Sequence, residues 1–122
     1  RTELAKEADL WLQLRPGTDD ALALAMLHTI IEEKLYDAAF VSEWTHGFEA
    51  LAERVKRYSP EWAAPITWVP AEKIRAAARL YAATKPSMME WGCAIEHTPN
   101  TIQTVRAISM PFRRPALMIL MP

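Results

Sequence analysis

The chain has 122 residues, enough for one domain with a modest hydrophobic core. Its formal net charge of -1 makes nucleic acid a poor candidate partner, because no basic excess is available to neutralise phosphates. The single cysteine, Cys93, excludes an internal disulfide and a four-cysteine zinc or iron–sulfur site in this segment. No apolar run approaches the roughly 20 residues of a membrane-spanning helix, so no membrane contact is evident. Because the chain opens with Arg1 and lacks an apolar leader, we expect an internal piece of a longer protein.

A short strand is predicted near the start of the chain, over residues 9–14. Leucine occupies every second position there, a period of two that is typical of a strand: Leu10, Leu12 and Leu14. Pro16 and Gly17 end this strand, because proline lacks a ladder donor and glycine permits a sharp turn. The first eight residues favour a helix.

About five helices are predicted beyond that turn. The apolar spacing places them over residues 19–34, 38–45, 48–58, 71–84 and 100–110. Thr18 and Asp37 are suited to cap the first two of these helices, and Pro70 suits the first position of the fourth. Residues 64–68 are predicted to be irregular or briefly extended, after a turn or a single helical turn that begins at Ser59. Residues 87–91 favour a second strand, closed by Gly92.

This order of elements predicts an α/β fold. Two parallel strands with a helical crossover form a βαβ-type unit. We therefore expect a helix-rich fragment of a Rossmann-like parallel-sheet domain, with two or three short strands and about five helices. So few strands would leave open sheet edges, and we expect the fragment to self-associate.

The loop Pro16-Gly17-Thr18-Asp19 is the best candidate ligand site. It would join a strand end to a helix N-terminus, where ligands of open α/β sheets bind. Asp19 and Asp20 work against a bound phosphate, whereas one carboxylate can accept from both N1–H and the N2 amino group of guanine. The alternative is an ordinary Pro-Gly turn followed by aspartates that favour the positive end of a helix dipole.

Residues 8–24 (Ala-Asp-Leu-Trp-Leu-Gln-Leu-Arg-Pro-Gly-Thr-Asp-Asp-Ala-Leu-Ala-Leu) resemble a hallmark segment of the dimethyl sulfoxide reductase superfamily. These enzymes carry molybdenum or tungsten on two molybdopterin guanine dinucleotides. Further matching pieces follow in the family's order over residues 1–110: 35–37, 40–41, 47–51, 58–61, 66–67, 69–74, 78–79, 81–82, 91–97 and 106–108.

The resemblance implies a cofactor role for two loops. It places Asp19 beside a guanine of the cofactor, with Pro16, Gly17 and Thr18 shaping the loop. It places the segment from Trp91 to His97 near the pterin dinucleotide. The candidate contacts of this second loop are Trp91, Gly92, Glu96, His97 and Asn100.

The resemblance also implies what the parent protein is. The segment would belong to the catalytic subunit of a molybdenum or tungsten oxidoreductase, an anaerobic dehydrogenase or reductase with bis-molybdopterin guanine dinucleotide. Its partners would be the remainder of that subunit and an iron–sulfur electron-transfer subunit. The metal ligand and any iron–sulfur cysteines would lie upstream of this segment. We therefore expect no catalytic or metal-ligating residue here, and no activity or bound cofactor in the isolated fragment.

Residues 1–110 are assigned to the α/β molybdopterin-dinucleotide-binding domain. The tail, residues 111–122, departs from the family pattern and need not be native-like. The substrate, the choice of molybdenum or tungsten, and a cytoplasmic or periplasmic location in a prokaryote stay open. The alternative function is a non-enzymatic helical interaction module without nucleotide affinity.

Other residues that attract attention have simpler interpretations. Cys93 is interpreted as a small, partly buried thiol, and His28 as a packed, hydrogen-bonded histidine. His46 precedes Gly47 near a helix end, where the dipole favours histidine. The five tryptophans are interpreted as packing residues, some of them on surfaces that the rest of the parent would cover.

Overall fold

The computed structural model describes residues 2–109 and the backbone of residues 118–121. The elements of these residues are α1 (Glu3–Glu7), α2 (Asp19–Glu32), α3 (Ala38–Trp44), α4 (Phe48–Val55), α5 (Pro60–Thr67), α6 (Ala71–Ala83), β1 (Met88–Trp91), α7 (Cys93–Glu96), α8 (Thr101–Ser109) and β2 (Met118–Met121). Within the described ranges, no helix is long and apolar enough to cross a membrane.

Helix α2 is the centre of the fold. It is apolar on nearly every side, and helices α4, α5, α6 and α8 all pack against it. Leu22 and Met26 of α2 are each only 1% exposed, and Ile74 of α6 and Ile108 of α8 are fully buried. An all-round apolar helix is stable only inside a protein, which explains its central place.

Two helix starts follow directly from local sequence. The Asp37 carboxylate accepts a hydrogen bond from the Phe40 backbone N–H at 2.9 Å, which confirms the predicted cap of α3. The Ser59 hydroxyl accepts from the Trp62 N–H at 3.2 Å, and Pro60 follows as the first residue of α5. Pro70 stands one position earlier than predicted, as the N-cap of α6.

The predicted strand over residues 9–14 is wrong. The segment is irregular, although Leu10, Leu12 and Leu14 are partly buried against the core as their alternation implies. A strand needs a neighbour for its N–H and C=O groups. None of the residues that the structure describes pairs with this segment in a sheet.

The prediction that residues 64–68 are irregular or extended is also wrong. Helix α5 continues to Thr67 with Pro65 inside it and ends at Trp68. The missing N–H of Pro65 removes one helical hydrogen bond, which the capped start at Ser59 and the buried face of α5 outweigh. The short helix α7 was not predicted.

The second predicted strand is confirmed as β1, but its partner differs from the predicted one. Strand β1 pairs in parallel with β2, with Met88 opposite Met118 and Trp91 opposite Met121. Strand β2 lies in the tail, and residues 110–117 and 122 are outside the described part. The architecture is therefore helix-rich with one parallel strand pair, and a larger Rossmann-like sheet is not among the described elements.

Candidate functional site

The candidate loop is attached to the end of α5 on one side and opens α2 on the other. The Arg15 N–H donates to the Thr67 carbonyl at 2.9 Å. The Thr18 hydroxyl donates to the Arg15 carbonyl at 2.6 Å, so Thr18 occupies the predicted N-cap position but does not cap with its side chain. Gly17 has φ 78°, a left-handed conformation that glycine adopts without strain. These bonds hold the backbone from Arg15 to Asp19 in one shape.

Asp19 is a buried carboxylate at the first position of α2. The residue is only 7% exposed. Burial raises the pKa of its carboxyl above the ordinary value, and the nearby charge of Asp20 adds to this rise, while the backbone N–H of Asp19 itself opposes it. Among residues 2–109, no basic side chain forms an ion pair with Asp19. Its carboxylate therefore keeps acceptor capacity that the described residues do not use.

The structure brings Asn100 to this loop. The Asn100 amide Nδ2 donates to Asp20 Oδ2 at 3.5 Å, a long hydrogen bond between residues 80 positions apart. The other carboxylate oxygen of Asp20 accepts from the Ala21 N–H at 2.8 Å. Helix α8 begins directly after Asn100 and packs against α2. This packing places Asn100 beside the N-terminus of α2.

The other residues of the second loop are arranged differently. Trp91 is half-buried against the core, and Gly92 is exposed directly before α7. Glu96 and His97 are exposed at the end of α7. In the described part of the chain, no hydrogen bond joins the side chain of Glu96 or His97 to the loop of residues 16–20. The two sequence segments thus meet through Asn100.

The residues interpreted as structural give mixed outcomes. The His28 ring nitrogen Nδ1 lies 3.0 Å from the Val55 carbonyl oxygen, which confirms a packed, hydrogen-bonded histidine. Cys93 is exposed, so its interpretation as a partly buried thiol is wrong. Trp44 and Trp68 are 69% and 68% exposed, so these two do not pack in the core. No group of three or more metal-ligating side chains occurs among the described residues.

One pair beside the loop was missed by sequence reasoning. The Arg15 guanidinium lies 5.5 Å from the centroid of the Trp68 ring, a cation–π contact. Trp68 has φ 64°, a left-handed conformation rare for a large side chain. No local sequence pattern predicts this conformation, because glycine is the residue expected at a left-handed position after a helix.

Comparison with known proteins decides the family. The model of the family described as molybdopterin oxidoreductase matches residues 1–112. This chain belongs to the molybdopterin oxidoreductase family. The resemblance to dimethyl sulfoxide reductases is thereby confirmed, and dimethyl sulfoxide reductase DmsA of Escherichia coli is 34% identical over 87% of the chain and 15% of its own length.

Other members of the family are more similar in sequence. Acetylene hydratase of Syntrophotalea acetylenica is 44% identical over 88% of the chain and 15% of its own length. Formate dehydrogenase H of Escherichia coli is 42% identical over 89% of the chain and 15% of its own length. The solved structure of acetylene hydratase from Pelobacter acetylenicus superimposes with a TM-score of 0.90 at 40% identity, covering 95% of this chain and 17% of that one. The chain thus spans less than a fifth of the relatives it matches.

Proposed function

We propose that this chain is a cofactor-binding segment in the catalytic subunit of a molybdenum or tungsten oxidoreductase, and that Asp19 accepts hydrogen bonds from a guanine of the cofactor. Family membership supports the cofactor class, and relatives named as formate dehydrogenase and dimethyl sulfoxide reductase support the reaction class. In this proposal the described helices are part of a larger α/β, Rossmann-like domain. The same observations argue against a self-contained interaction module.

The observation that carries the proposal is the buried carboxylate of Asp19 without a cationic partner among the described residues. A charged group in such a place costs stability unless a ligand satisfies it. Guanine offers two adjacent donors, N1–H and the N2 amino group, that match the two oxygens of one carboxylate. The Asp19 backbone N–H and the positive end of the α2 dipole favour the ionised carboxylate, the form that accepts both bonds.

The loop geometry supports the same assignment. The hydrogen bonds from Arg15 to Thr67 and from Thr18 to Arg15 fix the backbone in advance, so little ordering is left for binding. Asn100 reaches Asp20 at 3.5 Å and adds amide groups at the edge of the same loop. Pro16, Gly17 and Thr18 would shape the loop, while Trp91, Gly92, Glu96 and His97 would border the dinucleotide from the second segment.

The segment's role is to bind and orient rather than to react. The bis-molybdopterin guanine dinucleotide supplies two-electron chemistry at its metal when bound, and the protein places it. Metal ligation, any iron–sulfur cluster and the substrate pocket would come from the remainder of the catalytic subunit, and electrons from an iron–sulfur partner subunit.

The test is Asp19→Asn in the full-length parent enzyme, with cofactor content measured as guanine nucleotide released per polypeptide. An asparagine amide is uncharged and has one acceptor oxygen instead of two, with an NH2 group facing the second guanine donor. Content should therefore fall about tenfold, as expected for losing a charge-assisted hydrogen bond. Asp37→Asn is the matched control, because Asp37 caps α3 at an exposed position where asparagine also caps well. Unchanged content in Asp19→Asn, or an equal fall in Asp37→Asn, would refute the role of Asp19.

We also propose that the isolated segment self-associates. Leu4, Trp44 and Ile102 are 64%, 69% and 72% exposed, and large apolar side chains exposed to this degree favour contact between copies. Light scattering should show a molecular mass that rises with concentration. A constant monomer mass up to millimolar concentration would contradict this.

A further inference from the structure

Trp68 combines a strained backbone with an exposed side chain. It follows α5 in the left-handed region, at φ 64° and ψ 10°, where glycine is the favoured residue. Its side chain is 68% exposed, so the described residues do not bury the ring. A large residue kept in a disfavoured conformation points to a task for its side chain.

The ring of Trp68 contacts the Arg15 guanidinium, at 5.5 Å from the ring centroid. The backbone of Arg15 is attached to the same place, through its N–H to the Thr67 carbonyl at 2.9 Å. Thr67 is itself fully buried, and its hydroxyl donates to the Ala63 carbonyl at 2.9 Å. The backbone and the side chain of Arg15 therefore both contact the C-terminal end of α5.

Arg15 is the basic residue nearest to Asp19 in the sequence, and a guanidinium close to that carboxylate would compete with a ligand for it. It lies four positions before Asp19, and residues 16–33 contain no lysine or arginine. A guanidinium readily forms two parallel hydrogen bonds to a carboxylate, which would occupy both oxygens. Among the described residues, no such pair forms between Arg15 and Asp19.

We propose that the Trp68 ring holds the Arg15 guanidinium away from Asp19 and so keeps the carboxylate open to the guanine of the cofactor. Trp68 is then a positioning residue, acting through Arg15. This inference rests on the proposed function of Asp19. It adds a residue whose ring controls whether the Asp19 carboxylate is open to the ligand, although the ring does not contact the ligand.

The first test is Trp68→Gly in the full-length parent enzyme. Glycine suits φ 64°, and little buried surface is lost, so the fold should be kept. Retention of the guanine dinucleotide during gel filtration should fall about two- to fivefold, the size expected for releasing an exposed cation–π contact. Trp68→Phe keeps an aromatic face and should retain most of the cofactor.

Lys34→Gly is the matched control. Lys34 also has a left-handed backbone, at φ 55°, but it lies beyond the opposite end of α2. This substitution relieves the same kind of strain far from the loop. Retention should equal that of the unaltered enzyme, and a fall like that of Trp68→Gly would show that backbone strain alone, not the ring, is responsible.

The deciding variant combines Trp68→Gly with Arg15→Gln. Without a guanidinium at position 15, no cation from that residue can pair with Asp19. The double variant should therefore regain most of the cofactor retention that Trp68→Gly loses. Arg15→Gln alone should lose less than Trp68→Gly alone. A double variant as poor as Trp68→Gly would overturn the proposal, because the ring would then act directly on the ligand or loop. A loss in Arg15→Gln as large as in Trp68→Gly would overturn it too, since Arg15 would itself bind the cofactor.

The proposed roles of Asp19 and Trp68 can be refuted separately. If Asp19→Asn leaves cofactor content unchanged, the proposed function of Asp19 fails. If Asp19→Asn lowers content while Trp68→Gly does not, the role of Asp19 stands and only the role of Trp68 fails.

Discussion

The two ends of α2 differ in what surrounds them. At its N-terminus, Asp19 lies buried in a loop that hydrogen bonds hold in one shape. Towards its C-terminus, α3, α4 and α6 surround a groove of about 430 Å³. The groove is lined mainly by apolar side chains, among them Ile30, Phe40, Phe48 and Leu51. One helix thus joins a polar, preorganised end to an apolar end where packing is looser.

The difference shows which end is suited to recognition. Apolar contacts in the groove fit many shapes and specify little. A buried carboxylate accepts only particular donors, and an unsatisfied one is costly, so a ligand bound at the loop end would be selected strongly by its donors.

The largest effect on stability is expected at the groove. Phe48 is half-buried, and its ring lies 4.8 Å from that of Tyr36 at 54°. Phe48→Ala should lower the free energy of unfolding by about 2 kcal/mol, below the value for a fully buried phenylalanine. Urea unfolding of the chain measures this, while cofactor content of the parent enzyme should be unaffected. A fall in cofactor content would show that the two ends of α2 are coupled.

A smaller effect of opposite sign is expected from Asp19→Asn. Because the pKa of Asp19 is raised in the folded state, its contribution to stability is fully present below the ordinary value of 3.8 and is lost as pH rises through the folded pKa. At pH 7 the asparagine variant should therefore be at least as stable as the unsubstituted chain. Its advantage should shrink as the pH falls through the raised folded pKa and should be smallest below 3.8. Urea titrations at several pH values test this, and a variant that is much less stable at pH 7 would mean that the carboxylate is structural.

The smallest effect is expected at the surface beyond the groove. Glu33 accepts two hydrogen bonds from the Arg79 guanidinium, both at 2.8 Å, and this pairing lowers the pKa of Glu33. A lowered pKa contributes stability above the ordinary glutamate value, and that stability is lost as the pH falls. Glu33→Gln should shift the urea midpoint slightly at low salt and not at high salt, because exposed ion pairs are screened. A large shift that persists in salt would be inconsistent with a surface pair.

Sequence reasoning predicted what depends on local signals. The cap at Asp37, the buried helix α2 and the strand at residues 88–91 follow from residue types and their spacing. Over residues 9–14 only a strand was predicted, from the alternation of Leu10, Leu12 and Leu14; these three side chains are partly buried against the core. Whether that segment forms a strand depends on a neighbour, which its own sequence does not contain.

Sequence reasoning named the residues of the candidate site, but it did not predict their geometry. Pattern and family resemblance both pointed to Asp19, and resemblance also pointed to Asn100. The approach of Asn100 to Asp20 depends on how α8 packs against α2, which local periodicity does not determine. The contact of Arg15 with Trp68 depends on a left-handed backbone conformation at Trp68, which is unfavourable for a residue with a side chain.

The hydrogen bond between Asn100 and Asp20 has a consequence for the order of folding. It joins positions 80 residues apart, so the intervening chain must close a long loop before the contact can form. We expect contacts of such high sequence separation to form late, after the local helices and together with the packing of α8 against α2. The two halves of the candidate site therefore meet only when the domain is nearly complete, and the cofactor would be loaded onto a folded protein rather than guiding an unfolded one.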